Sequence, residues 1–68
     1  MKVTKVDLFK GFYVAGEFEV ENLKGFKGER LTKAEWEDYD DEAATIPFEY
    51  DNVIIDAEDD CLVYFIKK

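Results

Sequence analysis

The N-terminal part of the chain alternates apolar and polar residues with the two-residue period of a β-strand. The apolar or small positions are Phe12, Val14, Gly16, Phe18 and Val20. This pattern predicts a strand with one dry face, which needs a covering element. Upstream, Val6 and Leu8 can supply the same face of a first strand, so we predict an antiparallel β-hairpin.

Two glycines offer alternative positions for the turn of this hairpin. If the turn is at Lys10-Gly11, Gly16 marks a bulge in the second strand. If the turn is at Ala15-Gly16, Gly11 becomes a bulge in a long first strand. Both alternatives give two antiparallel strands.

Residues 31–36 carry the clearest local signal, which is a helix start. Thr32 can accept a hydrogen bond from the Glu35 N–H, and the Glu35 side chain can accept one from the Thr32 N–H, which makes a capping box. Leu31 and Trp36 can form the accompanying hydrophobic staple. The preceding residues 23–30 (LKGFKGER) hold two glycines and four charges, and we predict that they form an exposed loop.

The predicted helix has one apolar stripe. At about 100° per residue, Trp36, Tyr39 and Ala43 fall on one side, so we expect them to face the sheet. Pro47 lacks a backbone N–H and pushes the residue before it toward an extended conformation, so the helix is predicted to end near residues 44–45.

Two β-branched and aromatic segments follow the helix. They are residues 52–57 (NVIIDA) and 61–66 (CLVYFI), and they are joined across the acidic turn Glu58-Asp59-Asp60. The element order is therefore ββαββ. We predict one α+β domain over residues 1–68, in which an antiparallel sheet carries one helix packed on one face.

Composition restricts the chemistry that the chain can perform. It contains no His and no Ser, so acyl-transfer triads are ruled out and Cys61 lacks its usual activating partner. No glycine-rich phosphate-binding motif is present, and a chain of 68 residues has little room for an enclosed active site. We expect a non-enzymatic protein without a cofactor or a bound metal, with Cys61 as a small buried hydrophobe.

The cellular setting is expected to be the cytoplasm. A single cysteine cannot form an internal disulfide, which fits a reducing compartment. No apolar stretch has the length of a signal peptide or a membrane span, so we expect no contact with membranes.

A partial match to a calcium-binding loop lies within the acidic segment. Asp38, Asp40, Glu42 and Glu49 occupy positions 1, 3, 5 and 12 of the template. Position 6 calls for glycine and is Ala43, and a helix begun by the capping box would splay the first three carboxylates apart. A calcium site is therefore kept only as a minor alternative.

The negative charge is concentrated in the middle of the chain. Residues 29–60 hold thirteen acids against Arg30 and Lys33, a local net charge of −11 in a chain whose total is −8. Lys and Arg make the contacts to phosphate, so this charge opposes direct nucleic-acid binding.

The predicted helix accepts repulsion between its own side chains. Like-charge neighbours at helical spacing, each unfavourable by roughly 0.2–0.5 kcal/mol, are Glu35/Asp38, Glu37/Asp41 and Asp38/Glu42. No lysine follows residue 33 in the helix to relieve them. We interpret this strain as the sign of a surface that binds a partner. The candidate partner-binding residues are Glu35, Glu37, Asp38, Asp41, Glu42, Glu58, Asp59 and Asp60.

In size, charge and general architecture the chain resembles the small acidic DNA-mimic and inhibitor proteins, many of which phages and other mobile elements encode. The resemblance implies a protein that docks its acidic helix face on the basic surface of a nucleic-acid-binding protein or enzyme. One alternative is a structural subunit or homodimer that pairs through an exposed sheet edge such as the Cys61–Ile66 strand, with the acids only solvated. The other is a weak calcium-binding module.

Overall fold

The computed structural model describes residues 1–39 and 48–67. Within them the chain forms five strands and one helix: β1 (Lys2–Asp7), β2 (Tyr13–Glu19), β3 (Gly28–Thr32), α1 (Lys33–Tyr39), β4 (Asn52–Asp56) and β5 (Leu62–Ile66). The strands make one antiparallel sheet in the order β2-β1-β5-β4-β3, and α1 packs against β3 and β4. The predicted α+β architecture, a small antiparallel sheet with one helix, is confirmed.

The predicted element order lacks one strand. Gly28–Thr32 forms β3 and pairs with β4 along its whole length. The first three residues of this strand fall in the predicted exposed loop 23–30. Only Leu31 of this strand is buried, so the segment has almost no hydrophobic pattern of its own. The strand forms because β4 offers it a backbone to pair with, and this information lies outside the segment.

The last strand is central, not an edge. β5 pairs with β1 on one side and with β4 on the other, so the predicted pairing of copies through the Cys61–Ile66 strand is wrong. The near-continuous apolar run of this segment is typical of a strand that is buried on both faces. The edges of the sheet are β2 and β3.

The first hairpin turns at Lys10-Gly11, as one of the two alternatives predicted. Gly11 has a φ of 75°, which favours glycine, and its N–H donates to the carbonyl of Leu8. Val6 lies opposite Val14 and Lys5 lies opposite Gly16, so the register shifts by one residue. The predicted bulge in β2 is therefore confirmed.

This bulge divides the predicted dry face of β2 between the two sides of the sheet. A one-residue insertion reverses the side to which every later side chain points. Before the bulge, the Phe12 ring lies 6.0 Å from the ring of Phe65 on the helix side. After it, the Phe18 ring stacks at 5.9 Å on Phe26, on the opposite side.

Both faces of the sheet carry a hydrophobic cluster. The cluster on the helix side contains Val6, Leu31, Trp36, Tyr50, Val53, Ile55, Val63 and Phe65. The second cluster contains Val3, Ile54 and Ile66 and is covered by Leu23 and Phe26. The predicted exposed loop therefore contributes two side chains that close the second face.

The helix start matches its prediction. The Thr32 N–H donates to the Glu35 carboxylate at 3.0 Å, and the Glu35 N–H donates to the Thr32 hydroxyl at 3.2 Å. Trp36 is buried beneath the helix, but Tyr39 is 66% exposed and stacks on the Trp36 ring. The assignment of Tyr39 to the core is thus wrong. Ala43 and the predicted helix end lie outside the described residues.

Replacing Gly28 with alanine should destabilise the protein strongly. A Cβ at this position would overlap the backbone carbonyl of Ile55 in the paired strand β4. We expect Gly28→Ala to lower the free energy of unfolding by more than about 2 kcal/mol, measured by urea denaturation. Gly25→Ala is the matched control, because a Cβ there meets nothing within 4 Å. Equal stability of the two variants would contradict the pairing of β3 with β4.

The capping box should contribute measurably to stability. Thr32→Ala removes the hydroxyl that accepts the Glu35 N–H, and we expect it to cost about 1 kcal/mol in the free energy of unfolding. Thr32→Ser keeps the acceptor and should cost much less. If urea denaturation gives the same loss for both variants, the hydroxyl is not the stabilising group.

Candidate functional site

The strand order places the acidic segment and the lysine-containing segments of the sequence on two different sides of the sheet. Residues 29–60 supply β3, α1 and β4, which lie together at one side of the sheet; we call this the acidic half. Its described residues hold ten acids against Arg30 and Lys33. The hairpin half, residues 1–28 and 61–67, supplies β2, β1 and β5 and holds six lysines against four acids.

The ion pairs of the described residues all lie in the hairpin half. Lys67 Nζ lies 2.9 Å from a Glu17 carboxylate oxygen, and the N-terminal amine lies 3.6 Å from Glu19. The hydroxyl of Thr4 also donates to Glu17. No carboxylate described in the acidic half has a cation within ion-pairing distance. The described carboxylates of that half are therefore not held in ion pairs with described cations, although the charge of Lys5 acts on Asp56 and helps to lower its pKa.

The helix presents its predicted acids unequally. Glu35 is exposed, but its carboxylate accepts the Thr32 N–H, which lowers its pKa and gives it a structural role. Glu37 and Asp38 are exposed and form no ion pair among the described residues. Asp41 and Glu42 lie outside those residues. Glu37 and Asp38 are thus the helix carboxylates that the structure offers to a partner.

Lys33, the only lysine of α1, lies beside an aromatic ring and not beside a helix carboxylate. Lys33 Nζ lies 5.2 Å from the centroid of the Tyr50 ring, a cation–π distance. Burial raises the pKa of Tyr50, and the nearby charge of Glu37 raises it further, so this hydroxyl stays protonated at neutral pH. Lys33 therefore covers an aromatic ring without forming an ion pair with Glu37 or Asp38.

The turn between β4 and β5 is organised by Asp56. Its carboxylate accepts the N–H groups of Glu58 and Asp59 at 2.8 and 3.2 Å, and the Tyr64 hydroxyl at 3.1 Å. The hydrogen bond from Glu58 is the largest of the causes that lower the pKa of Asp56. Asp59 in turn accepts the N–H of Cys61. Of the three predicted turn residues, Glu58 and Asp60 are exposed and accept no backbone hydrogen bond among the described residues.

The helix start and the acidic turn lie at opposite ends of β4. Thr32, which precedes the helix, is opposite Asn52 at the start of β4, whereas the turn follows Asp56 at its end. The predicted residues therefore mark two regions of the acidic half, not one compact patch. Glu29 and Asp51, which no predicted site includes, and Glu49, which only the calcium-loop template includes, are also exposed in this half. All three are among the thirteen acids counted in residues 29–60, so the charge count already included them.

Cys61 lies beside two acids of the turn. Ligand atoms of Asp59, Asp60 and Cys61 lie within 4.8 Å of one another. Burial, followed by the charges of the neighbouring acids, raises the pKa of the Cys61 thiol. A thiol with a raised pKa is a poor nucleophile and a poor metal ligand at neutral pH. The calcium-loop residues Asp40 and Glu42 lie outside the described residues.

A pocket of about 360 Å³ opens on the face of the sheet opposite the helix. It is lined by Lys5, Phe18, Gly25, Phe26, Lys27, Asp56, Ala57, Glu58 and Tyr64. Burial and the hydrogen bond to Asp56 raise the pKa of the Tyr64 hydroxyl, so it remains protonated. The pocket balances two lysines against two acids, and it therefore has no marked preference for an ion of either sign.

Acidification should destabilise the protein through Asp56. Because its pKa is lower in the folded protein than in the unfolded chain, its ionised form stabilises the fold above the unfolded value of about 3.9. That contribution is lost as the pH falls through the folded pKa. We expect Asp56→Asn to be less stable than wild type at neutral pH and to lose less stability on acidification, as measured by urea unfolding at several pH values.

Asp60→Asn is the control for this measurement, because no described backbone N–H donates to the Asp60 carboxylate. It should keep the acid sensitivity of the wild type. A wild-type pH profile in Asp56→Asn would show that the hydrogen bonds of Asp56 do not couple stability to pH.

None of the described helices has both the length and the apolar character needed to cross a membrane. Comparison with known protein families, with characterised proteins and with solved structures finds no match to the chain. A function can therefore be inferred only from the charge, exposure and contacts of the described residues.

Proposed function

We propose that this chain is a non-enzymatic binding protein whose acidic half docks on the basic surface of a nucleic-acid-binding protein or enzyme. Docking there occludes the nucleic acid, which is how a DNA-mimic inhibitor of the kind encoded by phages acts. The observation that supports the proposal is the segregation of charge: ten acids against two cations on one side of the sheet, with no ion pair among the described residues of that side.

The chemistry of the acidic half suits a partner that binds nucleic acid. Side chains three or four positions apart on a helix lie about 5–6 Å apart, so a row of helix carboxylates resembles a row of phosphates in sign and rough spacing. A groove lined by Lys and Arg offers the complementary field. Such a field speeds association, and the complex weakens as salt is added. Because its own charge repels phosphate, the chain itself is not expected to bind nucleic acid directly.

The local structure supports a division of roles among the acids. Glu35 and Asp56 stabilise the helix start and the turn by accepting backbone N–H groups. Glu37 and Asp38 have no such role in the described structure, although they repel their neighbours. Carboxylates that lower stability without holding the fold are the ones expected to bind. We also propose a cytoplasmic location, in keeping with the single cysteine of the chain.

Neutralising the free helix carboxylates should weaken binding. The test variant is Glu37→Gln/Asp38→Asn, and the control Glu19→Gln/Glu21→Gln removes the same charge from the hairpin half. Each protein is immobilised and incubated with a cell lysate at low and high salt, and retained proteins are identified by mass spectrometry. We expect basic nucleic-acid-binding proteins to be retained by wild type and control, lost by the test variant, and released by salt.

A retained protein is then purified and its affinity for each variant is measured. We expect the test variant to bind roughly tenfold more weakly than the control at low salt, with unchanged circular dichroism. Duplex DNA should compete with this chain for the partner. Equal affinity of the two variants would exclude the helix face, and simultaneous binding of DNA and this chain would exclude occlusion.

A further inference from the structure

Most of the exposed apolar side chains lie in β2 and in the turn that precedes it. The large hydrophobic side chains that are exposed among the described residues are Met1, Phe9, Phe12, Tyr13, Val14, Phe18 and Tyr39. Five of these seven lie between residues 9 and 18, and Phe9 is 84% exposed. Phe12 and Phe18 lie on opposite faces of the sheet, so these side chains flank one edge of the sheet on both faces and do not form a single patch. Apolar side chains beside an edge can be partly covered when another strand is added there.

β2 also forms an open edge of the sheet. Within the described residues β2 pairs with β1 alone, so its outer backbone N–H and C=O groups have no strand partner. An edge strand of this kind can accept a further strand from another chain. Val14 is about half exposed on this edge and Tyr13 is 54% exposed, so both can be covered when a strand is added.

Charge decides which of the two edges a second copy can use. Pairing through β3 would bring two acidic halves together, since α1 packs on β3 and β4. Pairing through β2 places β4 of one copy about seven strand spacings, roughly 34 Å, from β4 of the other at about 4.8 Å per spacing. This distance is several times the screening length of about 8 Å at physiological salt, so repulsion between the acidic halves is small only at the β2 edge.

The two ends of β2 carry opposite charge. Lys10 precedes the strand, and its Nζ lies 5.6 Å from the centroid of the Tyr13 ring. Glu19, which forms an ion pair with the N-terminal amine, ends the strand, and the exposed Glu21 follows it. In an antiparallel pair the beginning of one strand lies beside the end of the other. Two copies of β2 related by a two-fold axis therefore place Lys10 of each near the acids of its mate.

We propose that β2 pairs antiparallel with β2 of a second copy of this chain, which makes a two-fold dimer with a continuous sheet. Self-complementary charge is what such an isologous interface requires. The dimer covers the outer backbone of β2 and part of the apolar surface beside it, and it leaves both acidic halves at its outer ends. The bulge in β2 shortens the regular ladder, so the dimer is weak and depends on protein concentration.

The first experiment is sedimentation equilibrium of the full chain at concentrations of about 10–500 µM, the range in which a small interface associates. We expect a monomer–dimer equilibrium for the wild type. Val14→Lys places a charge on the β2 edge and should raise the dissociation constant at least about tenfold. Ala34→Lys, which adds the same charge at an exposed helix position, should leave it unchanged.

A charge exchange tests the antiparallel arrangement. Lys10→Glu makes both ends of β2 acidic, and Glu21→Lys adds a cation at the acidic end. Each variant alone should dimerise more weakly than the wild type. Mixing the two should form a heterodimer, detected by sedimentation or by native mass spectrometry. A mixture that stays as monomeric as its components would exclude the antiparallel pairing.

A monomeric wild type at the highest concentration would overturn the proposal. So would equal dissociation constants for Val14→Lys and Ala34→Lys. These measurements need no binding partner. Val14→Lys, Lys10→Glu and Glu21→Lys alter residues outside the helix that carries Glu37 and Asp38, and Ala34→Lys, which lies on that helix, serves only as the control. Failure of the dimer therefore leaves the proposed function of the acidic half untouched, and failure of that function leaves the dimer untouched.

Discussion

The last strand of the chain joins two parts of the sheet that would otherwise be separate, the β1–β2 hairpin and the unit of β3, α1 and β4. β5 pairs with β1 on one side and with β4 on the other. Phe65 of this strand is fully buried, and its ring lies 5.2 Å from that of Tyr50 and 5.7 Å from that of Trp36. The helix side of the core is assembled around this ring, so the attachment of β3, α1 and β4 to the first hairpin depends on β5.

The position of β5 also determines where the charges lie on the molecule. It separates a half with excess lysine from a half with ten acids and two cations. A sheet order that interleaved the same segments would bring lysines beside acids and reduce the field. Among the residues that the structure describes, the ion pairs lie in the hairpin half, which holds fewer acids. Charge segregation and edge exposure are thus consequences of a single topological arrangement.

Some acids of this protein accept backbone hydrogen bonds, whereas others are exposed and accept none among the described residues. Glu35 and Asp56 accept backbone N–H groups that a short helix and a tight turn leave without partners. Glu37, Asp38 and Glu58 are exposed and accept no backbone N–H among the described residues. A chain of 68 residues has little stability to spare, so the hydrogen bonds of Glu35 and Asp56 matter for the fold.

Local sequence determined the helix start, the hairpin and the acidic turn, because hydrogen bonds and turn geometry there involve residues close in the chain. The Thr32–Glu35 capping box is of this kind. The hairpin is also local, but the structure decided that it turns at Lys10-Gly11 and not at Ala15-Gly16. Only the tertiary structure decided that Gly28–Thr32 is a strand, that Tyr39 is exposed and that β5 is central. These features depend on which distant strands pair, and strand pairing is set by contacts between segments that no local pattern records.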